Sequence, residues 1–320
     1  MREKLTQQLH VTTPSDEKKV VNAILHALVK YILDSKIDTK FLSEMKLQKI
    51  VFKTVEELEL PVTRSWYIRG CMVHPGGTLG SNNFKGKIEK LVKNPDKLII
   101  EPDIYSCFDS IQINNIFFTK RNTFLRELYS NMEPARFRNE YVPNNELILA
   151  LEEMSKGIFN GHNEIISENI SKLYLGLQGN DLFNNVSKEF YDFLDFMENV
   201  SIEVEGSVED GADFTPNDLN FFNSLSDAYY STVWMEPASI ISIETVEGLS
   251  AEKVIEQRQG YLPLAARKIE EPLTKLKQKI DELNLSTSEN NIEQVYIKSC
   301  ERIGVNAGKN LTEMWKIYAK

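Results

Sequence analysis

The feature that most constrains this fold is a helical spacing of apolar residues, interrupted by few turn-forming residues. Apolar side chains recur every three or four positions through most of the chain, as in amphipathic helices. Glycine and proline together supply 26 of the 320 residues, against about 38 at average usage. With 42% hydrophobic and 26% charged residues, a chain of this length is able to bury a core in about two domains. We therefore expect long helices rather than a many-stranded sandwich or barrel.

Capping signals locate the predicted helices. Thr13-Pro14-Ser15-Asp16 combines an N-cap threonine, a first-turn proline and a carboxylate, which predicts a helix over 14–35. Ser43 is placed to cap a second helix that ends at Pro61, and Asn145 is placed to cap a third. The Thr-Pro-x-Asp pattern recurs at 215–218 and opens a further helix. The spacing also predicts helices over 85–92, 122–132, 163–177, 186–198, 264–283 (with a kink at Pro272), 289–300 and 306–318.

Less regular stretches separate these helices. Residues 62–73 are rich in β-branched and aromatic types and form either a short strand or a helix. Residues 98–119 are expected to hold one or two short strands, whereas 74–80 and the acidic stretch 201–213 are expected to be loops. The predicted fold class is mainly α, in two helical units with a few short strands in residues 62–119.

The charge distribution suggests where the units divide. Residues 1–140 carry 22 basic and 17 acidic side chains, 141–256 carry 4 and 22, and 257–320 carry 11 and 8. The sign changes at Pro143-Asn144-Asn145, so we place the units at 1–142 and 143–320. The acidic middle is either a solvated helical surface or a face for a basic partner.

Several classes of site are excluded or disfavoured. Cys71, Cys107 and Cys300 are odd in number and far apart, so they indicate neither a disulfide framework nor a metal pair, but small buried groups in a reducing compartment. The four histidines have no zinc-like spacing, and we expect no metal and no cofactor. No apolar run reaches the roughly 18–20 residues of a membrane span, and the N-terminus is polar. We therefore expect a cytoplasmic protein with no membrane contact.

One stretch concentrates the candidate binding residues. Two guanidinium groups alternate with two aromatic rings, a pattern that pairs with carboxylate or phosphate, although a core-anchored Trp66 is the structural alternative. A glycine-rich loop from Gly76 to Gly80 follows His74, and its amides are either a phosphate cradle or a flexible turn. A short basic helix comes next. The predicted partner- or phosphate-binding residues are Arg64, Trp66, Tyr67, Arg69, His74, Lys85, Lys87 and Lys90.

The same region carries a family resemblance. The motif is Lys-Leu-Gln-Lys at 46–49 before an apolar-aromatic pair, then Leu-Pro at 60–61 and Trp-Tyr-Ile-Arg-Gly at 66–70. Over residues 44–77 it resembles the Panacea domain of SocA-like prokaryotic antitoxins, with Cys71 where the family has proline. The resemblance implies a mostly helical, non-catalytic module of a bacterium, archaeon or phage that binds a partner, often a toxin.

Three hypotheses of function follow. The first is a prokaryotic or phage interaction protein of regulatory or defence type, without catalytic activity, that binds a partner protein. The second is a nucleic-acid-associated protein that binds phosphate through Arg64, Arg69, Lys85, Lys87, Lys90 and Lys93. The third is an enzyme with a site around His74. Oligomeric state is not readable from the sequence.

Overall fold

The structure is a computed structural model that describes residues 11–79, 82–280 and Leu283. It is mainly α-helical, and the strands among the described residues form one two-stranded antiparallel sheet. This confirms the predicted fold class. The helices predicted over 289–300 and 306–318 lie outside the described residues, as does Cys300.

The described chain forms two compact units, and the first is discontinuous in sequence. It comprises residues 11–128 together with Ala238–Pro263. Its elements are α1 (Glu17–Asp34), α2 (Glu44–Glu57), β1 (Arg64–Tyr67), β2 (Gly70–Val73), α3 (Phe84–Val92), α4 (Pro102–Ser110), α5 (Ile113–Phe118), most of α6 (Arg121–Ser130), most of α11 (Met235–Thr245) and α12 (Ala251–Tyr261).

Helix α2 is the centre of the first unit. It packs against α1, α3, α4, α5 and strand β2, because apolar residues cover much of its circumference. Leu47, Ile50, Val51 and Val55 are completely buried. The helix begins as predicted, with the Ser43 hydroxyl accepting a hydrogen bond from the Lys46 amide at 3.3 Å.

The second unit comprises Tyr129–Pro237 and residues 264–280. Helices α8 and α10 pack on α7, and α13 packs on α9 and α10, around a core rich in phenylalanine. A π-helical turn, Tyr229–Val233, follows α10. The α-helices are α7 (Arg138–Met154), α8 (His162–Gln178), α9 (Lys188–Glu209), α10 (Pro216–Ala228) and α13 (Ala265–Ile280).

Several predicted elements are close to the observed ones. The helices expected over 14–35 and 163–177 are α1 and α8. Thr215 forms the predicted reciprocal capping box with Asp218, and Pro272 lies inside α13. Residues 62–73, left open between strand and helix, form the β1–β2 hairpin, in which Trp66 is opposite Cys71.

The strands predicted in 98–119 are wrong, because this stretch forms helices α4 and α5. Ile104 and Phe108 are four residues apart, and Ile113 and Ile116 are three apart, so burial of one helical face accounts for all four. Pro102 is the first residue of α4, where a missing N–H costs no helical hydrogen bond.

The loop predicted over 201–213 is also wrong for most of its length, since α9 continues to Glu209. Val200, Val204 and Ser207 are buried along one side of the helix. The acidic residues that suggested a loop occupy the other positions of an amphipathic helix.

The predicted boundary at 142/143 lies inside helix α7, which begins at Arg138 rather than after an Asn145 cap. Pro143 is tolerated within the helix, although it has no N–H to donate to the carbonyl of Asn139, four residues earlier. Gly176 of α8 faces this carbonyl, and a Cβ added at Gly176 would lie 3.0 Å from the Asn139 oxygen. The units therefore divide between residues 128 and 129, and the chain re-enters the first unit at Ala238.

Candidate functional site

Arg64 on strand β1 is half-buried and engaged within the first unit. Its Nη2 lies 2.7 Å from a carboxylate oxygen of Glu247, and the backbones of the two residues exchange hydrogen bonds of 2.9 and 3.0 Å. The guanidinium thus attaches the hairpin to the returning segment that contains Glu247.

Trp66 and Tyr67 are buried, as the structural alternative expected for Trp66. The Trp66 ring meets Phe52 edge to face at 6.3 Å, and its amide donates to the Thr245 hydroxyl at 3.0 Å. The Arg258 guanidinium lies 3.3 Å from the centre of the Tyr67 ring, a cation–π contact. Burial raises the pKa of Tyr67, and the positive charge of Arg258 partly opposes this. Both rings are part of the interior.

Arg69 is exposed at the hairpin turn, and a buried lysine holds the backbone beneath it. Lys49 of α2 is 1% exposed, and its ammonium donates to the carbonyls of Arg69 and Cys71, the latter at 2.6 Å. Burial lowers the pKa of Lys49. Of the residues in the predicted Arg-aromatic stretch, only Arg69 therefore has an exposed side chain.

Lys46, the first lysine of the Lys-Leu-Gln-Lys motif, has a similar structural role. Its ammonium donates to the carbonyls of Phe117 at 2.6 Å and Thr119 at 2.9 Å. These carbonyls lie at the C-terminal end of α5, where a cation is favoured by the helix dipole. Both motif lysines thus connect α2 to neighbouring backbone.

His74 is completely buried, and its Nε2 lies 2.8 Å from the Ser65 hydroxyl. The Ser65 hydroxyl also lies 2.9 Å from that of Ser242. Burial, with the nearby Arg258 charge, lowers the pKa of His74 to about 3, against a smaller opposing contribution from the Thr78 backbone. The ring is therefore neutral near pH 7, and it supports a buried hydrogen-bond chain rather than a solvent-accessible acid or base.

Two amides of the glycine-rich loop that we considered for phosphate binding donate hydrogen bonds within the protein. The Gly76 amide donates to the Glu17 carboxylate at 2.5 Å, and the Gly77 amide donates to the His74 carbonyl at 2.8 Å. Glu17 is fully buried and also accepts hydrogen bonds from Thr63 and Ser250. This loop is fixed to the interior by a carboxylate, which is unfavourable for an added anion.

The basic helix α3 presents the predicted lysines to solvent. Lys85, Lys87 and Lys90 are exposed, as are Lys93 and Lys97 just beyond the helix. None of these five, which we call the α3 lysines, forms an ion pair within the described residues, although Lys87 lies 5.6 Å from the Phe84 ring centre. Phe84 and Ile88 bury the opposite side of the helix. Of the predicted site, this part has the charge and exposure that binding an anion requires.

An exposed aromatic pair lies at another place in the first unit. Phe41 and Phe118 are 43% and 57% exposed, and their ring centres are 5.6 Å apart at an interplanar angle of 69°. The Lys40 ammonium lies 5.2 Å from the Phe41 ring centre. Sequence analysis did not single out this pair, because nothing local brings residues 41 and 118 together.

The second unit contains a strongly acidic segment. Tyr129–Pro237 carries 20 acidic and 5 basic side chains. Glu164, Glu209 and Asp213 are exposed without an ion pair to another described residue, and we call them the acidic end. The start of α8, which carries Glu164, lies beside the end of α9, which carries Glu209. Asn163 at the start of α8 donates a hydrogen bond to the carboxylate of Glu205, one helical turn before Glu209. Ile158, which precedes α8, is 48% exposed.

Other sequence predictions have clear outcomes. Cys71 and Cys107 are buried, and burial raises their thiol pKa values to about 11 and about 12, so they behave as small interior groups. Across the described residues, no group of three or more His, Cys, Asp or Glu side chains is arranged to hold a metal ion. In the same part of the chain, no helix combines the length and apolar character needed to cross a membrane.

Sequence reasoning missed Glu17 and Arg258, which make polar contacts in the first unit's interior, and Glu247, whose exposed carboxylate pairs with Arg64. Glu247 and Arg258 are nearly 190 residues from the hairpin and carry no local signal. Lys46 and Lys49 did carry a signal, since they lie three residues apart among the apolar residues of α2.

These features define a mainly α-helical protein of two units, with a discontinuous first unit that contains the hairpin and an acidic second unit. The chain belongs to the family described as "Domain of unknown function (DUF8098)", whose model matches residues 9–87 and 84–307. No curated protein and no solved structure matches the chain.

Proposed function

We propose that this chain is a non-catalytic interaction protein of regulatory or defence type, which binds a basic partner protein through the acidic end. The observation that carries the proposal is the charge of Tyr129–Pro237, with 20 acidic against 5 basic side chains. Most of these carboxylates have no cation to pair with inside the segment. Acidic surfaces of this kind steer positively charged partners and accelerate their association.

The interior of the first unit supports a non-catalytic role. His74 is the histidine on which the enzyme hypothesis depended, and it is buried, neutral and bonded to Ser65. A general base must reach the proton that it removes, directly or through one water molecule. Arg64, Trp66 and Tyr67 likewise contribute to packing. The resemblance to Panacea antitoxin domains agrees with a binding role.

The acidic end also has the composition of a protein-binding surface. Ile158 is exposed, and the ring of its chain neighbour Phe159 lies 4.4 Å from that of Phe214, which follows Asp213. A partly exposed apolar centre surrounded by charge is the usual arrangement of a protein interface.

The test is affinity capture of partner proteins at about 50 and about 300 mM salt with the wild type and E164Q/E209Q/D213N. Screening weakens exposed charge interactions, because the Debye length falls as salt rises. We expect a protein that the wild type retains at low salt and loses at high salt, and that the triple variant does not retain. A matched control, D96N/E252Q/E256Q, removes three exposed carboxylates from the first unit. Equal retention by both triple variants would contradict the proposal.

A second candidate function, nucleic-acid association through the first unit, is favoured by the α3 lysines. Five exposed lysines that are close together in sequence and have no ion pair with another described residue are typical of a phosphate-binding surface. Binding of a labelled oligonucleotide should weaken as salt rises. In K85A/K87A/K90A the slope of log K against log salt should fall by about 0.7 for each lysine that contacts a phosphate of a single strand. An unchanged slope would exclude these lysines as contacts.

A further inference from the structure

The Phe41–Phe118 pair is unusual because both rings remain exposed while touching each other. Their exposed fractions are 43% and 57%, whereas most phenylalanines among the described residues are buried. The 69° angle between the rings sets the edge of one against the other, so the pair does not cover itself by face-to-face stacking. Exposed apolar surface of this kind is characteristic of a binding site.

The pair is held in place by buried structure. Phe118 is the last residue of α5, where Lys46 bonds the carbonyls of the two flanking residues, Phe117 and Thr119. Phe41 ends a short 3₁₀ helix, Thr39–Phe41, two residues before the Ser43 cap of α2. Since Lys46 lies in the first turn of α2, one helix end anchors both rings. A preorganised platform loses little conformational entropy when a ligand binds.

The surroundings of the pair are basic. Lys40 lies over the Phe41 ring, and its ammonium also pairs with Asp38 at 2.8 Å. Lys120, two residues after Phe118, is exposed and has no ion pair among the described residues.

The α3 lysines begin close to the pair. The Glu44 carboxylate accepts hydrogen bonds from the amides of Phe84 at 3.0 Å and Lys85 at 2.9 Å. Glu44 is only three residues from Phe41, so three residues of chain, at most about 10 Å, separate Phe41 from the residue that holds the start of α3. The negative charge of Glu44 is stabilised by the N-terminus of α3, where the helix dipole favours an anion.

We propose that Phe41 and Phe118 form a stacking platform for unpaired bases of a single-stranded nucleic acid, with Lys120 and the α3 lysines contacting its phosphates. The inference rests on the nucleic-acid candidate function and specifies its ligand. Aromatic side chains beside a row of cations are the combination by which proteins bind single strands without sequence preference. A duplex offers its phosphates to the lysines but keeps its base faces covered, so the rings should contribute only to single-strand binding.

The test is fluorescence anisotropy of the full chain with a fluorescein-labelled 15-nucleotide oligo-dT, at low salt. We expect F41A/F118A to bind about tenfold or more weakly than the wild type. F41L/F118L keeps apolar side chains and removes the π faces, so it should lose affinity similarly even if the alanine variant is poorly folded. I99A removes another exposed apolar side chain of the first unit, 70% exposed, and should bind within about twofold of the wild type.

Two further probes separate this inference from the alternatives. Affinity for a duplex of the same length, and for an oligo-glutamate peptide, should be unchanged by F41L/F118L. If the phenylalanine variants bind oligo-dT as the wild type does while K85A/K87A/K90A does not, the platform is wrong and the nucleic-acid function stands. If the wild type binds neither oligo-dT nor the duplex, both fail; if it binds the duplex alone, only the platform fails. If F41L/F118L weakens oligo-glutamate binding equally, the pair is a protein-docking surface and the inference is overturned.

Discussion

His74 and Glu140 are buried ionisable residues whose burial shifts their pKa values in opposite directions. His74, in the first unit, is fully buried and remains neutral because its pKa falls to about 3. Glu140, in the second unit, is 1% exposed, and burial raises its pKa to about 7, opposed in part by a hydrogen bond with Asn180. Each residue therefore couples the stability of the chain to pH.

For His74, we expect stability to fall as the pH decreases from about 6.5 towards 3. In this window the unfolded chain binds a proton on the ring and the folded chain does not, which costs about 1.4 kcal/mol per pH unit. Between pH 7 and 5 the wild type should therefore lose about 2 kcal/mol that H74Q does not lose, as measured by urea unfolding. H162Q, at a partly exposed histidine whose pKa burial also lowers, is the comparison and should change the dependence on pH less than H74Q does. If the free energy of unfolding had the same dependence on pH in the wild type and H74Q, this prediction for His74 would be refuted.

For Glu140 the dependence of stability on pH has the opposite sign. The folded chain holds the proton between about pH 4.5 and 7 while the unfolded chain releases it, so stability falls as the pH rises through this window. E140Q stays neutral, and relative to the wild type it should gain about 3 kcal/mol in free energy of unfolding between pH 4.5 and 8. S224A changes no ionisable group, so its free energy of unfolding should follow the same pH dependence as that of the wild type. If the free energy of unfolding of E140Q ran parallel to that of the wild type across this pH range, burial would not shift the pKa of the Glu140 carboxyl.

At the scale of elements, local sequence and structure agree best at the helix caps of Ser43 and Thr215. Thr215 accepts from the Asp218 amide at 3.4 Å, and Asp218 accepts from the Thr215 amide at 2.6 Å, as the Thr-Pro-x-Asp pattern predicted. At 13–16 only part of the box forms. Asp16 accepts from the Thr13 amide at 3.0 Å, but the helix itself starts at Glu17.

We expect T215A to lower the free energy of unfolding by about 1 kcal/mol, within a range of about 0.5–2, because the Asp218 amide of α10 loses the Thr215 hydroxyl as its acceptor. S224A is the matched control, since Ser224 is within the same helix and its hydroxyl donates to the Asn220 carbonyl. Alanine has the higher helix propensity, so S224A should be neutral or slightly stabilising. Chemical denaturation with near-identical midpoints for the two variants would contradict the capping role.

Element prediction failed where the residue types were ambiguous. Isoleucine and phenylalanine in 98–119 favour strands, yet α4 and α5 bury them at helical spacing. Acidic and glycine residues in 201–213 suggested a loop, whereas packing of Val204 and Ser207 extends α9. In both stretches, tertiary contacts outweighed preferences worth less than about 1 kcal/mol per residue.

At the scale of the whole molecule, the first unit requires a segment that is distant in sequence. Ala238–Pro263 supplies Ser242 to the His74–Ser65 chain and Ser250 to Glu17, and Arg258 to the Tyr67 ring. Removing this segment leaves buried donors and acceptors without partners, at about 1–3 kcal/mol each.

A fragment of residues 1–142 should therefore fail to unfold cooperatively in a thermal scan by circular dichroism. Joining residues 1–128 to 238–263 through a Gly/Ser linker should restore a cooperative transition, because the compact unit is then complete. Cooperative unfolding of fragment 1–142 by itself would mean that the returning segment is dispensable.

The sequence by itself determined the fold class, most helix positions and the exposure of the α3 lysines. These follow from periodicity, caps and charge, which act within a few residues. Only the tertiary structure decided that Trp66, Tyr67 and His74 are interior residues and that Arg64 pairs with Glu247, since their partners are brought in by α2 and by the segment after Ala238. The same holds for the Phe41–Phe118 pair, whose members are 77 residues apart. Burial depends on which distant elements pack together, and the chain around a residue does not encode that.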